Sequence, residues 1–191
     1  MSQRPAYDSL RTRLPTSEES AIATKANFTP DEWKSLLQSP LLVGIAVSAA
    51  DPSGLFGMLK ESMASARALV EAKTDPNSDE LVKAVASDFE TSEGRGQAQD
   101  GLKALFGGSK PAGIAAKTAD ALLALAALLD AKAPADAAAF KTWLAHIANA
   151  VAEAAPEGGF LGFGGTQVSE AEKASVAQIA TALGVSVPAG T

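Results

Sequence analysis

The 191-residue chain contains no cysteine, only one histidine, and few aromatic residues, which make up 5% of the sequence. Without cysteine, disulfides, thiolate metal sites and cysteine nucleophiles are excluded. His146 would therefore have to serve as the base of any Ser-His pair or as the histidine ligand of any metal. Because 47% of the residues are nevertheless hydrophobic, the core must be built mainly from Ala, Leu, Val and Ile. This composition favours closely packed helices over aromatic-rich strands.

Basic charge and long apolar runs are also scarce. Lys and Arg together number 16 against 22 Asp and Glu, which gives a formal net charge of -6 at pH 7. No basic stripe of the kind that binds nucleic acid is visible, so we predict no nucleic-acid partner. The longest apolar runs, LLVGIAVSAA and ALLALAALL, are about half a membrane span, and the N-terminus lacks the apolar stretch of a secretory signal. We therefore predict no membrane insertion and a cytoplasmic location.

Helix start signals are the strongest local patterns, and the clearest of them is FTPDEW. Thr29 is placed to cap a helix, Pro30 takes the first helical position, and Glu32 can complete a capping box. Phe28 and Trp33 occupy the two positions of a hydrophobic staple. We therefore predict that a helix begins here and that these five residues hold its start.

Further helix starts are predicted along the chain. Ser39 with Pro40 predicts a second, separate helix that is apolar on every face. Asp79 predicts another, and Ser169 with Glu172 forms a second capping box before the last helix. The segment TSEGRGQAQDG lacks an apolar period and predicts a surface loop before a short helix over LKALF, whereas IAAKTADALLALAALLDAK predicts a mostly buried helix.

These patterns predict an all-α fold, a compact bundle of about seven helices with an Ala/Leu-rich core and a Gly-rich loop before the last helix. Residues 1–27 are predicted to be a flexible N-terminal arm, and residues 28–187 a single helical domain. Tyr7, Leu10 and Leu14 could share one face of a short helix. The alternative for the arm is therefore a helix docked on the body or on a second subunit.

The Gly-rich stretch EGGFLGFGG precedes the last helix. A phosphate-binding loop is not predicted, because a helix rather than a strand precedes the glycines and no Gly-Lys-Ser or Gly-Lys-Thr follows. Apolar side chains on such a tether are costly in water, so they are expected to plug a groove in the bundle or to contact a partner or ligand. The candidate ligand or partner contact residues are Phe160, Leu161, Phe163, Phe56 and Trp33.

One group of polar residues has oxygen atoms at the alternating positions of a metal site. Asp75, Asn77 and Asp79 imitate the start of a calcium loop, but Glu80 stands where its glycine is needed and Ala86 where its bidentate Glu is needed. Capping of a helix N-terminus explains the three residues instead. We predict no metal and no cofactor.

Acidic residues also gather near the polar segment, and they are Asp88, Glu90, Glu93 and Asp100. We interpret them as a solvated face, with a weak cation site as the alternative. His146 is interpreted as a structural or solvated residue. No catalytic residue is assigned.

The C-terminal pattern AEAAPEGG…TQVSEAEKASVAQIATALGV resembles that of TerB-like domains, helical proteins associated with tellurite resistance and stress response. The shared features are an acidic residue and Gly before a Val-Ser-x-x-Glu helix start, and a Leu-Gly end. The resemblance covers about the last fifth of the chain and implies a helical fold with a metal-linked role. This chain inserts FLGFGG and lacks the Asp-Gly dipeptide, for which Glu157 and Gly158 are the nearest equivalent.

The sequence favours a non-catalytic helical module that binds a protein partner or itself as a homo-oligomer, through the Phe-Gly loop, the N-terminal arm, or both. The first alternative is a helical bundle that binds a small hydrophobic ligand, with Phe160 and Phe163 as a lid. The second alternative is an enzyme that depends on carboxylates.

Overall fold

The structure is a computed structural model, and its described residues are 22–50, 57–109, 111–154 and 168–186. Every regular element within those ranges is helical, which confirms the predicted all-α bundle of about seven helices. A short 3-10 turn, Lys25–Asn27, precedes α1. The seven α-helices are α1 (Pro30–Ser48), α2 (Gly57–Thr74), α3 (Glu80–Phe89), α4 (Ser92–Phe106), α5 (Pro111–Lys132), α6 (Ala137–Ala154) and α7 (Glu170–Leu183).

Both predicted capping boxes are present. The Thr29 hydroxyl accepts the Glu32 N–H at 3.3 Å, while the Glu32 carboxylate accepts the Thr29 N–H at 2.7 Å. Ser169 and Glu172 repeat the arrangement at 3.1 Å and 2.8 Å. At the other end of α7, Gly184 adopts the left-handed conformation with a φ of 69°, which closes many helices.

The predicted second helix start at Ser39 and Pro40 is wrong, because α1 runs through both residues without a break. Proline has no N–H, so the carbonyl of Leu36 loses its usual helical donor. The Ser39 hydroxyl donates to that carbonyl at 2.8 Å instead. The serine thus offsets the missing hydrogen bond, and the helix continues to Ser48.

The predicted surface loop over residues 91–101 is also wrong, because this segment forms the first two thirds of α4. The Thr91 hydroxyl caps the helix by accepting the Gly94 N–H at 2.9 Å. Gly94, Ala98 and Gly101 are the buried residues of the helix, at spacings of four and three. Their small size lets α4 lie close to α1 and α3, so the buried face of this segment is made of small residues, and large apolar ones follow only from Leu102 onwards.

The core lies around α1 and α6. α1 packs against α4, α6, α2, α5 and α7, and α6 packs against α2, α1 and α7.

Among the described helices, none combines the length and apolarity that a membrane span requires. The largest fully buried side chains are Trp33, Phe140, Leu36, Leu37, Leu42, Leu81, Leu122, Leu129, Leu144, Ile147, Leu183 and Glu172.

Candidate interaction surface

Helix α5 exposes an apolar face, although the sequence predicted a mostly buried helix. Leu123 is 54% exposed, the largest apolar side chain on that face. A largely apolar helix is fully covered only if neighbours pack on every side. The described helices that contact α5 are α1, α7, α6 and α4. We call the exposed side the α5 outer face; its members are Ala116, Asp120, Leu123, Ala124, Ala127, Asp130 and Ala131.

A groove of about 190 Å³ lies beside this face, between α1 and α5. It exists because Ala121 and Ala124 are too short to fill the space between the two helices. Ala124 belongs to both the groove and the α5 outer face, so the two form one continuous surface. The α1/α5 groove is lined by Ser35, Gln38, Leu42, Ala121, Ala124, Leu125 and Leu128.

Gln38 links the α1/α5 groove to the neighbouring contact between α1 and α4. Its Oε1 atom is buried and has no hydrogen-bond partner among the described residues. A Cβ atom at Gly101 would stand 2.1 Å from this oxygen. The side chain therefore occupies the space that the glycine leaves open, and it forms the polar end of the groove together with Ser35.

Charged side chains of both signs lie along the exposed side of α5. The Lys117 ammonium donates to the carbonyl of Leu105 at 2.8 Å, and Lys132 is paired with Glu32 at 2.6 Å. Asp120 has no such partner in the described part of the chain. Asp130 is paired with Lys141 at 2.6 Å, but its side chain is still 61% exposed. Two carboxylates thus remain accessible beside the apolar surface.

The beginning of the described chain is held by two carboxylates. The Ala23 N–H donates to Oδ2 of Asp136 at 3.0 Å in a buried position. The Lys25 ammonium donates to Oδ2 of Asp88 at 2.8 Å and lies 5.6 Å from the ring centroid of Trp33. We call this set of contacts the N-terminal clasp. Residues 22–27, which the sequence assigned to the arm, therefore lie on the helical body.

Trp33 is the one candidate contact residue that falls in the described ranges. It is 2% exposed, and its indole N–H donates to Asp88 at 2.6 Å. The rings of Phe28 and Trp33 are 5.9 Å apart, which confirms the predicted aromatic contact at the start of α1. A partner contact for Trp33 stays a prediction. The other candidates lie outside the described residues, and they are Phe56, Phe160, Leu161 and Phe163.

Two aspartates of this region have pKa values shifted in opposite directions. Burial raises the pKa of Asp79, and the nearby charge of Asp136 adds to the rise against the hydrogen bonds from the N–H groups of Val82 and Leu81. Burial would also raise the pKa of Asp88, but hydrogen bonds from Lys25 and Trp33 outweigh it and lower the value. The fold therefore disfavours the ionised form of Asp79 and favours the ionised form of Asp88.

The raised pKa of Asp79 predicts a pH-dependent effect of Asp79→Asn. The folded state holds the Asp79 proton more tightly than the unfolded state, so stability is lost as pH rises through the raised pKa. Asparagine caps helices as well as aspartate does and carries no charge. We expect Asp79→Asn to raise the free energy of unfolding at pH 7.5, with a gain that shrinks as pH falls towards 4, measured by urea denaturation.

The control for this experiment is Asp100→Asn, since the Asp100 side chain is 72% exposed. It is expected to change stability little at either pH. A loss of stability in Asp79→Asn that is equal at both pH values would contradict the assigned shift.

The predicted acidic group does not converge on one point. Asp88 belongs to the clasp, and the other three carboxylates each have a partner of their own. His146 is exposed on α6. No group of three or more His, Asp or Glu side chains in the described ranges is placed to hold a metal ion. The partners of Glu90, Glu93 and Asp100 are Lys73, Gln97 and Lys103 respectively.

The segment that imitates a calcium loop is a helix start. The Asp79 carboxylate accepts the N–H groups of Leu81 and Val82, at 3.0 Å and 3.3 Å. The Asp75 carboxylate accepts the N–H of Asn77 at 2.8 Å. Capping is therefore confirmed for Asp79, whereas Asp75 and Asn77 form a local turn and do not cap the helix.

Comparison with known proteins adds no relative to this description. No protein-family model, no curated protein and no solved structure matches the chain. The resemblance to TerB-like domains thus stays a prediction that rests on the C-terminal motif.

Proposed function

We propose that the chain is a non-catalytic protein-interaction module, and that its binding surface is the α5 outer face together with the α1/α5 groove. The observation that carries the proposal is the exposure of Leu123 within a surface of alanines beside an apolar groove. The occupant that fits this surface is an amphipathic helix with basic residues at its edges.

The shape of the surface supports a helix as the occupant. Alanines at 116, 124, 127 and 131 let a second helix approach α5 closely, because they project little from the backbone. The groove volume of about 190 Å³ is below the roughly 300–1,000 Å³ that is typical of small-molecule sites. A groove of this size suits the anchoring side chains of a docked helix. The small volume therefore favours protein binding over the small-ligand alternative.

Accessible carboxylates and the net charge of the chain support a basic occupant. Asp120 has no partner among the described residues, and Asp130, although paired with Lys141, is still 61% exposed. The whole chain carries a net charge of -6. Opposite charge on the occupant would therefore favour encounter and fix its orientation.

The proposal is tested with a synthetic helical peptide of about 14 residues, nearly four turns, with Leu on one face and Lys on the other. We expect saturable changes in the methyl NMR signals of Leu42, Leu123, Leu125 and Leu128 as the peptide is added to the full chain. Ala124→Lys should weaken binding by about tenfold or more, equal to about 1.4 kcal/mol, because it fills the groove and repels the peptide.

The matched control is Ala177→Lys, the same substitution at an exposed alanine of α7, which should leave the affinity unchanged. Equal weakening in the two variants, or signal changes without saturation, would contradict the proposed surface.

A further inference from the structure

We infer that a water molecule is bound in a small cavity between α5 and α7, where the Thr118 hydroxyl is its principal hydrogen-bond partner. This inference goes beyond the proposed function, because the cavity shares no residue with the α5 outer face. We call it the α5/α7 cavity. Its volume is about 30 Å³, and the polar residues of its described lining are Thr118, Ser175 and Gln178.

Thr118 is the polar member of a buried stripe on α5. The members of this stripe, at spacings of four, three and four, are Thr118, Leu122, Leu125 and Leu129. These spacings place them on one face of the helix. Thr118 is 2% exposed, and the three leucines are buried to a similar degree. The hydroxyl of Thr118 therefore cannot reach bulk solvent and needs a partner inside the protein.

The usual partner of a helical threonine is a carbonyl one turn earlier in its own helix. Thr142 and Thr181 follow this pattern, because their hydroxyls donate to the carbonyls of Ala138 and Ala177, each at 2.8 Å. The Oγ1 atom of Thr118 is buried and has no hydrogen-bond partner among the described residues. Buried polar groups of folded proteins almost always have a partner, and ordered water supplies it where the protein does not.

The volume of the α5/α7 cavity fits water and excludes larger ligands. A cavity needs roughly 10–15 Å³ to admit one water molecule, and the volume of about 30 Å³ exceeds that requirement. Small-molecule sites typically measure roughly 300–1,000 Å³. The size therefore identifies the occupant as water.

Ser175 supplies a second hydrogen-bond partner for this water. Its hydroxyl donates to the carbonyl of Ala46 at 3.0 Å, which uses its proton in a contact between α7 and α1. The lone pairs of a hydroxyl oxygen can still accept while its proton is donated. The water can therefore donate to the Ser175 oxygen.

The remaining hydrogen bonds of the water follow from the other two polar side chains. The Thr118 hydroxyl can donate or accept, and the amide of Gln178, which is exposed, can do either as well. Three partners match the average of about three hydrogen bonds that a buried water makes. The water thus joins α5 to α7 and, through Ser175 and Ala46, to the end of α1.

The test is oxygen-17 magnetic relaxation dispersion of water in a solution of the full chain, which counts the water molecules that stay bound while the protein tumbles. Oxygen is observed because the hydrogens of hydroxyl groups exchange with solvent and would add to a hydrogen signal. Thr118→Val replaces the hydroxyl by a methyl group, so it should lower the count by about one relative to the wild type. Circular dichroism checks that the variant has the wild-type helix content.

Two further variants serve as controls. Thr142→Val is the same substitution at a threonine whose hydroxyl donates within its own helix, and it should leave the count unchanged. Thr118→Ser keeps the hydroxyl and should keep the wild-type count.

Three results would overturn the inference. The first is a wild type that holds no long-lived water, which needs no variant to establish. The second is an equal count in the wild type and Thr118→Val, because the hydroxyl would then have no role in binding water. The third is an equal decrease in Thr118→Val and Thr142→Val, or in Thr118→Val and Thr118→Ser, because the loss would then not depend on the Thr118 hydroxyl.

Discussion

Gly94→Ala is expected to lower the free energy of unfolding by about 2–3 kcal/mol, at the upper end of the usual cost of overpacking. The added Cβ atom would stand 2.1 Å from the carbonyl oxygen of Asp88 and 2.7 Å from its carbonyl carbon. This carbonyl is fixed in place, because it accepts the N–H of Thr91 at 3.0 Å and the Thr91 hydroxyl at 2.7 Å. The clash therefore cannot be relieved by the rotation of a side chain.

The matched control lies two residues along the same helix. A Cβ atom at Gly96 would meet nothing within 4 Å, so Gly96→Ala should stabilise the protein by about 0.5–1 kcal/mol through helix propensity alone. Urea denaturation followed by circular dichroism measures both variants. Similar free energies of unfolding for the two would show that α4 does not approach α3 as closely as described.

Phe140→Ala is expected to cost about 3–5 kcal/mol, the range found when a large buried aromatic side chain is deleted. Phe140 is fully buried, and its ring meets that of Trp143 edge-on with centroids 5.2 Å apart. It lies on α6, which packs against α1, α2 and α7. The cavity would therefore open where several helices meet and could not close by the shift of one of them.

The control is Leu123→Ala, which removes a large apolar side chain from the α5 outer face. It should change the free energy of unfolding by less than about 0.5 kcal/mol, as expected for an exposed position. The same variant should weaken binding of the Leu/Lys peptide. A stability loss in Leu123→Ala as large as that in Phe140→Ala would mean that α5 is covered on its outer side and would contradict the proposed surface.

The residues of the proposed surface were present in the sequence, but their role was not visible there. The central run of α5, ALLALAALL, contains no polar residue, so periodicity within it cannot say which side of the helix stays uncovered. Asp120 and Asp130, ten residues apart on the exposed side, were the available signal. The Phe-Gly loop, where the sequence placed most contact residues, lies outside the described part of the chain.

The clasp was missed for a different reason. Ala23 and Asp136 are 113 residues apart, and Lys25 and Asp88 are 63 apart. No local pattern records such pairs, because each side chain in isolation resembles an ordinary exposed residue. Asp88 was therefore grouped with its sequence neighbours as part of an acidic face.

The sequence by itself determined the helical class and those helix ends that are capped by a residue within the same turn. The capping boxes at Thr29 and Ser169 join atoms three residues apart, so the local sequence contains everything needed to form them. Only the tertiary structure decided that Pro40 lies inside a helix, that Gly94 and Gly101 pack as a buried face, and that Leu123 is exposed. Each of these depends on which neighbour covers a surface, and burial is a property of elements distant in sequence.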